Sequence, residues 1–231
     1  MVKNSKRRIK MSMSSEDYEK YMDKFESLVP ELQGPWTEFK EEVFKDGVIS
    51  VKDKHLIAVS CANVTGCDHC IEEHTKISKS LGATDEELAE CVYIAIRLAM
   101  GQPYAFSSIA LENYDLMTAK KNVVEGYFMS KNITPQIMDL HEMSGEKRTK
   151  FATFHNIVYE DGHLPKKLKK GLMGLATAIL AKCPWCIRSC IRDGLKENVT
   201  KEEVVEAINI AMVMNGCAAA SHAPATMKAA E

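Results

Sequence analysis

Gly66-Cys67-Asp68-His69-Cys70-Ile71-Glu72-Glu73-His74 sets two cysteines three apart, with a histidine four beyond the second. In a helix, positions 67, 70 and 74 stand at i, i+3 and i+7 and so share one face. A variant follows in the second half of the chain as Cys183-Pro184-Trp185-Cys186-Ile187-Arg188-Ser189-Cys190. The chain reads as built twice around this helix.

The surrounding text repeats with it. Trp36, Phe39, Val43, Phe44, Asp46 and Gly47 correspond to Phe151, Phe154, Val158, Tyr159, Asp161 and Gly162, each 115 positions later. Cys67, Cys70, Ile71, Thr84, Glu86, Glu87, Glu90, Ile94 and Ala95 correspond to Cys183, Cys186, Ile187, Thr200, Glu202, Glu203, Glu206, Ile210 and Ala211, 116 positions later. The offset returns to 115 at Gly101 and Gly216. One-residue slips of this kind, expected at loops, mark a diverged duplication. Its seam falls between Thr118 and Thr134, where Thr134-Pro135 opens a new helix with proline at its first position. The division is residues 1–14 as a basic tail, 15–125 as the first repeat and 126–231 as the second.

Apolar spacing predicts helices throughout. Ser15 is placed to cap a helix bearing Tyr18, Tyr21, Met22, Phe25 and Leu28, and Pro30 and Gly34-Pro35 punctuate it. Trp36 to Phe44 forms the next, stopped by Asp46-Gly47. Ser50 caps a helix to about Val64, which Thr65-Gly66 breaks before the cysteine helix runs on to Leu81. Thr84 with Glu87, and Thr200 with Glu203, make capping boxes. Gly101-Gln102-Pro103 bends the chain before a further helix over 104–121. No stretch alternates with period two, so the class is all-α.

Composition excludes several functions. Of 231 residues, 45% are hydrophobic and 27% charged, which suits a packed core. A net charge of −2 carries no signature of nucleic-acid or membrane binding. The basic N-terminus lacks an apolar segment after it, and the apolar stretches 91–100 and 172–181 are too short to span a bilayer. We therefore expect a cytoplasmic protein, with no membrane or nucleic-acid partner. Eight cysteines in that compartment point to redox or metal chemistry.

A thiolate attacks disulfides and peroxides, and a helix N-terminus stabilises it through its unpaired N–H groups and dipole. A break at Gly66 puts Cys67 and Cys70 in a first turn. Pro184 at N1 makes Cys183 the N-cap and Cys186 N3. His74 stands one turn from Cys70 to take its proton, and His69 lies between the cysteines to tune them or serve a substrate. Cys61, Cys91 and Cys217 read as core cysteines, His141, His155 and His163 as ordinary core or surface residues. Three ligands for zinc or iron–sulfur could come from Cys67, Cys70 and His74, or from Cys183, Cys186 and Cys190, but a single helix rarely wraps a tetrahedral ion.

Gly66-Cys67-x-x-Cys70-Ile71-x-x-His74, then Gly82-Ala83-Thr84-x-Glu86-Glu87-x-x-Glu90 and Gly101-x-Pro103, resemble the carboxymuconolactone decarboxylase family, and within it the AhpD-like partners of alkyl hydroperoxide reductase. The likeness covers most of 36–115 and, more weakly, 151–223. It implies an all-α bundle assembled as a homo-oligomer, here a trimer or dimer of two-repeat chains. It implies a Cys67–Cys70 pair cycling between dithiol and disulfide, passing electrons to a redox partner protein or reducing a peroxide or disulfide substrate, with His74 in the proton relay. The family relay has a glutamate twelve residues before the first cysteine, where this chain has His55, and Gly171 in the second repeat. His55 is expected to relay protons in its place. Cys190 replaces the histidine of the second repeat, making Cys183, Cys186 and Cys190 a second redox candidate. No nucleotide-binding glycine loop is present, so no cofactor is expected and reducing power arrives through a partner. The alternatives are a γ-carboxymuconolactone decarboxylase-type lyase, which needs no redox pair, and a non-enzymatic metal-binding module.

Overall fold

The computed structural model describes residues 13–118 and 134–231, and among them there are helices and no strands. Residues 1–12 of the expected 1–14 tail, and residues 119–133 at the expected seam, lie outside the described residues; Ser14, assigned to that tail, instead caps α1. The first half runs α1 (Ser15–Leu28), α2 (Pro30–Phe44), α3 (Val51–Thr65), α4 (Asp68–Ser80) and α5 (Asp85–Thr118). The second runs α6 (Thr134–Ser144), α7 (Glu146–Tyr159), a π-helical segment (Lys167–Met173) continuing into α8 (Gly174–Leu180), then α9 (Pro184–Lys196), α10 (Lys201–Ala220) and α11 (Ala223–Ala229). The fold is an all-α bundle of two tandem, pseudo-symmetric repeats.

Caps set most boundaries. Ser50 Oγ accepts from Asp53 N–H at the start of α3, and the Thr84–Glu87 and Thr200–Glu203 boxes both close reciprocally. The α1 cap is Ser14, one residue before the expected Ser15, with its Oγ accepting from Asp17 N–H. Two expected breaks are absent. Pro35 lies inside α2, past its first turn, where it forfeits one intrahelical N–H bond without ending the helix. α5 runs unbroken through Gly101-Gln102-Pro103. Gly101 is there for a close approach: a Cβ at that position would stand 2.7 Å from Cys186 Sγ.

The centre of the molecule is α3 against its copy. Nine consecutive residues of α3, Lys54 to Ala62, are buried, as are all of Leu168 to Ala178. A helix buried on every side belongs at the middle of a core. Ser60 Oγ and Thr177 Oγ1 meet at 3.0 Å where the two pack. One hydrophobic cluster draws on both repeats.

The one-residue slip between repeats lies inside a helix, not in a loop. Lys54 N–H bonds Ser50 O and Lys169 N–H bonds Pro165 O, an offset of 115. Cys67 N–H bonds Ala62 O and Cys183 N–H bonds Ala178 O, an offset of 116. The extra residue is absorbed where Lys167–Met173 winds as π-helix, whose wider turn holds one more residue.

The repeats are latched reciprocally. Glu206 of α10 accepts from the Val48 and Ile49 N–H groups and pairs with buried Lys54 at 3.3 Å. Glu90 of α5 accepts from the His163 and Leu164 N–H groups and pairs with buried Lys169 at 3.4 Å. Gly47 and Gly162 permit this, because a Cβ on either would overlap the facing carboxylate. Lys54 also donates to Val43 O and Lys45 O, capping the end of α2.

Contrary to expectation, segment 201–229 is long and apolar enough to cross a bilayer by length and composition. In the fold its α10 portion buries Ala207, Ile210, Ala211, Val213 and Met214 in the core and carries the ion-paired Glu203 and Glu206.

Candidate active site

Gly66 ends α3 in the left-handed region at φ 72°, and the chain turns directly into α4. Cys67 is the N-cap of α4, its Sγ accepting from Cys70 N–H at 3.2 Å. Cys70 at N3 completes the first turn, and the two are disulfide-bonded with Cα atoms 5.3 Å apart. Both sulfurs sit where the helix dipole and the unpaired first-turn N–H groups favour negative charge. Both residues are buried, so a proton leaving either must pass to a protein group.

That group stands one turn along. His74, on the Cys70 face of α4, is buried, and its Nδ1 lies 2.9 Å from Nδ1 of His55 on α3. The Phe44 ring stacks on both imidazoles, 4.6 Å from His55 and 5.1 Å from His74 between ring centroids. Burial drives His55 down to about 4 and, with His55 and His69 nearby, His74 down to about 3. Both are neutral at pH 7, one Nδ1 donating to the other. The donor therefore presents a bare Nε2, the form of a general base.

This pair makes stability depend on acid. In the unfolded chain each histidine titrates near 6.5, whereas the folded values lie well below. Between these limits the unfolded chain binds protons that the folded chain does not. The contribution is complete above about pH 6.5 and is lost as pH falls towards 4, at up to about 1.4 kcal/mol per pH unit for the first proton. Urea unfolding at pH 7 and pH 5 measures it, and His55→Phe flattens the slope by about one proton.

Of the five residues expected at this site, Cys67, Cys70, His74 and His55 come together at the α3–α4 corner. His69 points outward, its side chain about half exposed, 3.8 Å from Glu73 and against the Tyr18 ring at 5.2 Å. It is not part of the buried pair.

The second site keeps the thiols and changes what surrounds them. Cys183 is the N-cap of α9, Pro184 takes N1, and Cys186 N–H donates to Cys183 Sγ at 3.3 Å. Cys183 and Cys186 are disulfide-bonded, with Cα atoms again 5.3 Å apart. Lys182 replaces Gly66 in the left-handed turn, at φ 54°. Cys190 occupies the place of His74, and burial pushes its thiol up to about 11, so it is protonated at pH 7. The counterpart of His55 is Lys170, not Gly171, because the π-helical residue shifts the register. Lys170 Nζ lies 3.9 Å from the centre of the Tyr159 ring, the copy of Phe44, and 3.2 Å from Asp193. Gly171 instead lies against Gly194 and Val199.

Arg97 reaches this second site from α5 of the first repeat, and its Nε donates to Nδ1 of His155 at 2.7 Å. The sequence reading left His155 as ordinary and did not single out Arg97, Lys170 or Asp193. The 115 offset that pairs Phe44 with Tyr159 could have found Lys170 beside it. Arg97 and His155 are far from the cysteines in the chain and carried no signal. Cys61 and Cys91 are buried core thiols, whereas Cys217 is half-buried. Among the described residues no group of three His, Cys, Asp or Glu side chains is arranged to hold a metal ion.

The sequence profile of the carboxymuconolactone decarboxylase family matches residues 30–107 and 148–229. A 73-residue stretch is 41% identical to uncharacterised protein 4 in the cox locus of Paracoccus denitrificans, covering 32% of this chain and 66% of that protein. An uncharacterised protein of Cupriavidus necator is 37% identical over 75 residues, with the same two coverages. The chain thus spans just under two thirds of the length of the curated relatives it matches.

Proposed function

Because the chain belongs to the carboxymuconolactone decarboxylase family and keeps a dithiol at the start of each repeat's cysteine helix, we propose that it is an AhpD-like thiol–disulfide oxidoreductase, reducing a peroxide or a disulfide. The observation that carries this reading is the buried Cys67–Cys70 pair on the first turn of α4 with the neutral His74–His55 pair one turn away. A sulfur closed off from water needs an internal proton acceptor, and His74 is placed to be that acceptor.

In the reducing half-cycle Cys70 gives its proton to His74 and attacks as the thiolate. With a hydroperoxide, Cys70 takes the terminal oxygen and the alcohol leaves. Cys67 then displaces that oxygen as water, and the 67–70 disulfide forms. A dithiol partner protein restores the pair by thiol–disulfide exchange, its own thiols becoming a disulfide. The depressed values of His74 and His55 belong to the disulfide form. Once reduced, a thiolate at Cys70 is an opposite charge one turn away and raises His74, which favours proton transfer. His55 shares the proton through the Nδ1–Nδ1 contact, the role of the glutamate in the family pattern.

The test is turnover of an organic hydroperoxide or a dithiol-reducible disulfide, dependent on added dithiol, with disulfides mapped by mass before and after reduction. His74→Gln lowers the rate by about 10²-fold while leaving the 67–70 disulfide able to form. Wild-type rates no faster than dithiol alone would overturn the reading. Lyase chemistry requires no dithiol, so carbon dioxide release from γ-carboxymuconolactone by a chain lacking both pairs would support that alternative. An exposed apolar face on α5, made by Val92, Tyr93, Ile96 and Met100, supports a homo-oligomer.

A further inference from the structure

Among the described residues, Arg97 is a buried cation without a counter-ion. It is 8% exposed, its Nη1 is buried and without a hydrogen-bond partner, and no carboxylate among the described residues pairs with it. Lys170, the other cation of the second site, pairs with Asp193, which also pairs with Arg192 and Lys196. An uncompensated buried guanidinium is costly unless something supplies its negative charge.

The geometry shows where that charge would arise. The Phe151 ring lies under the guanidinium, 4.9 Å from Cζ to the ring centre, and His155 holds Nε. His155 is kept neutral by burial and by Arg97 itself, so it accepts the bond and adds no charge. These contacts turn Nη1 towards Gly101. The point where a Cβ on Gly101 would stand is 3.1 Å from Arg97 Nη1 and 2.7 Å from Cys186 Sγ. Arg97 and Cys186 therefore share the space that a side chain at position 101 would fill. The buried Nη1 is closed to an anion from solvent, but a thiolate at Cys186 forms in place.

We propose that Arg97, reaching across from the first repeat, is the charge partner of Cys186 and makes Cys186 the attacking thiolate of the second site. The two sites then use one dithiol geometry with different activation, a neutral histidine pair for Cys70 and a fixed cation for Cys186. On reduction by an external dithiol, the 183–186 disulfide takes two electrons and one proton. The products are the Cys183 thiol, the Cys186 thiolate facing Arg97, the oxidised dithiol and one released proton. Cys186 is also the less buried of its pair, with Cys183 fully enclosed at the N-cap, so the attacking sulfur is the accessible one. Cys190, a buried thiol one turn on, also feels the Lys170 and Arg97 charges, but burial outweighs them and holds it up at about 11, so it stays protonated and outside this step.

This inference rests on the redox reading of the second pair, and its test does not require turnover. The reduced full-length chain is treated with iodoacetamide between pH 5 and 9, and alkylation at each cysteine is followed by peptide mass. In wild type, Cys186 reacts well below the pH of an ordinary thiol, near 8.5. Arg97→Gln, which keeps a polar group facing His155, slows Cys186 at pH 7 by about tenfold and makes the 183–186 disulfide harder to reduce. That fold-change is about one unit of thiolate pKa. Arg97→Lys retains most of the reactivity, and Cys67 and Cys70 are unchanged in both variants. Equal Cys186 rates in wild type and Arg97→Gln would overturn the proposal. So would an equal loss in Arg97→Lys, since packing on Phe151 and not charge would then be responsible. A chain that turns over no peroxide or disulfide yet shows the Arg97 dependence would refute the enzymatic reading and leave this one standing.

Discussion

Replacing Cys70 by serine, in a chain whose second pair is already Cys183→Ser and Cys186→Ser, abolishes dithiol-dependent turnover, a loss of about 10³-fold or more. Cys67→Ser in the same background does the same. The expectation follows from where the sulfurs sit. A serine at 67 remains an N-cap acceptor for the Cys70 N–H bond, and serine is a preferred cap. α4 therefore keeps its start and the fold its stability, while the 67–70 disulfide can no longer form. A melting temperature close to that of the parent, together with loss of turnover, assigns the effect to chemistry. Turnover that survives Cys70→Ser in this background would sink the dithiol mechanism. Comparison with the chain in which only the first pair is replaced reads out what the second site contributes by itself.

Glu206→Ala lowers the free energy of unfolding by about 3 kcal/mol, measured by urea denaturation. Its carboxylate does three things at once. It accepts from the Val48 and Ile49 N–H groups, compensates Lys54, and lies against Gly47. Lys54 is 4% exposed, so removing the carboxylate leaves a buried ammonium with only carbonyl partners. Glu206 itself is partly exposed, which places the expected loss at the lower end for a broken buried pair. Glu206→Gln keeps acceptors for the backbone and is expected to cost about half as much. Glu90→Ala at the equivalent latch has a similar effect, because Glu90 holds His163, Leu164 and Lys169 in the same way. A cost below about 0.5 kcal/mol for Glu206→Ala would show that the latch is dispensable.

Much of this architecture was legible because its signals are local or periodic. A capping box, a glycine after a helix and a cysteine at an N-cap are decided within one turn, and the structure places Thr84, Gly66 and Cys67 accordingly. The duplication was legible because two offsets recur over long stretches, and the family match over both segments agrees with it. Glycine and proline misled where a neighbour elsewhere in the chain decides their meaning. Gly101 reads as a break in isolation, yet α5 continues through it because Cys186 and Arg97 pack against that position.

By itself the sequence determined the class, the two repeats and the helix that presents each set of cysteines. These depend on spacing within a helix, which the backbone translates directly into position. Tertiary structure alone decided that His55 meets His74, that His69 turns away, that Lys170 and not Gly171 stands in the place of His55, and that Arg97 and Cys186 both approach Gly101. Each is settled by packing between elements distant in the chain. A π-helical insertion within a single helix is enough to change which side chain enters the core.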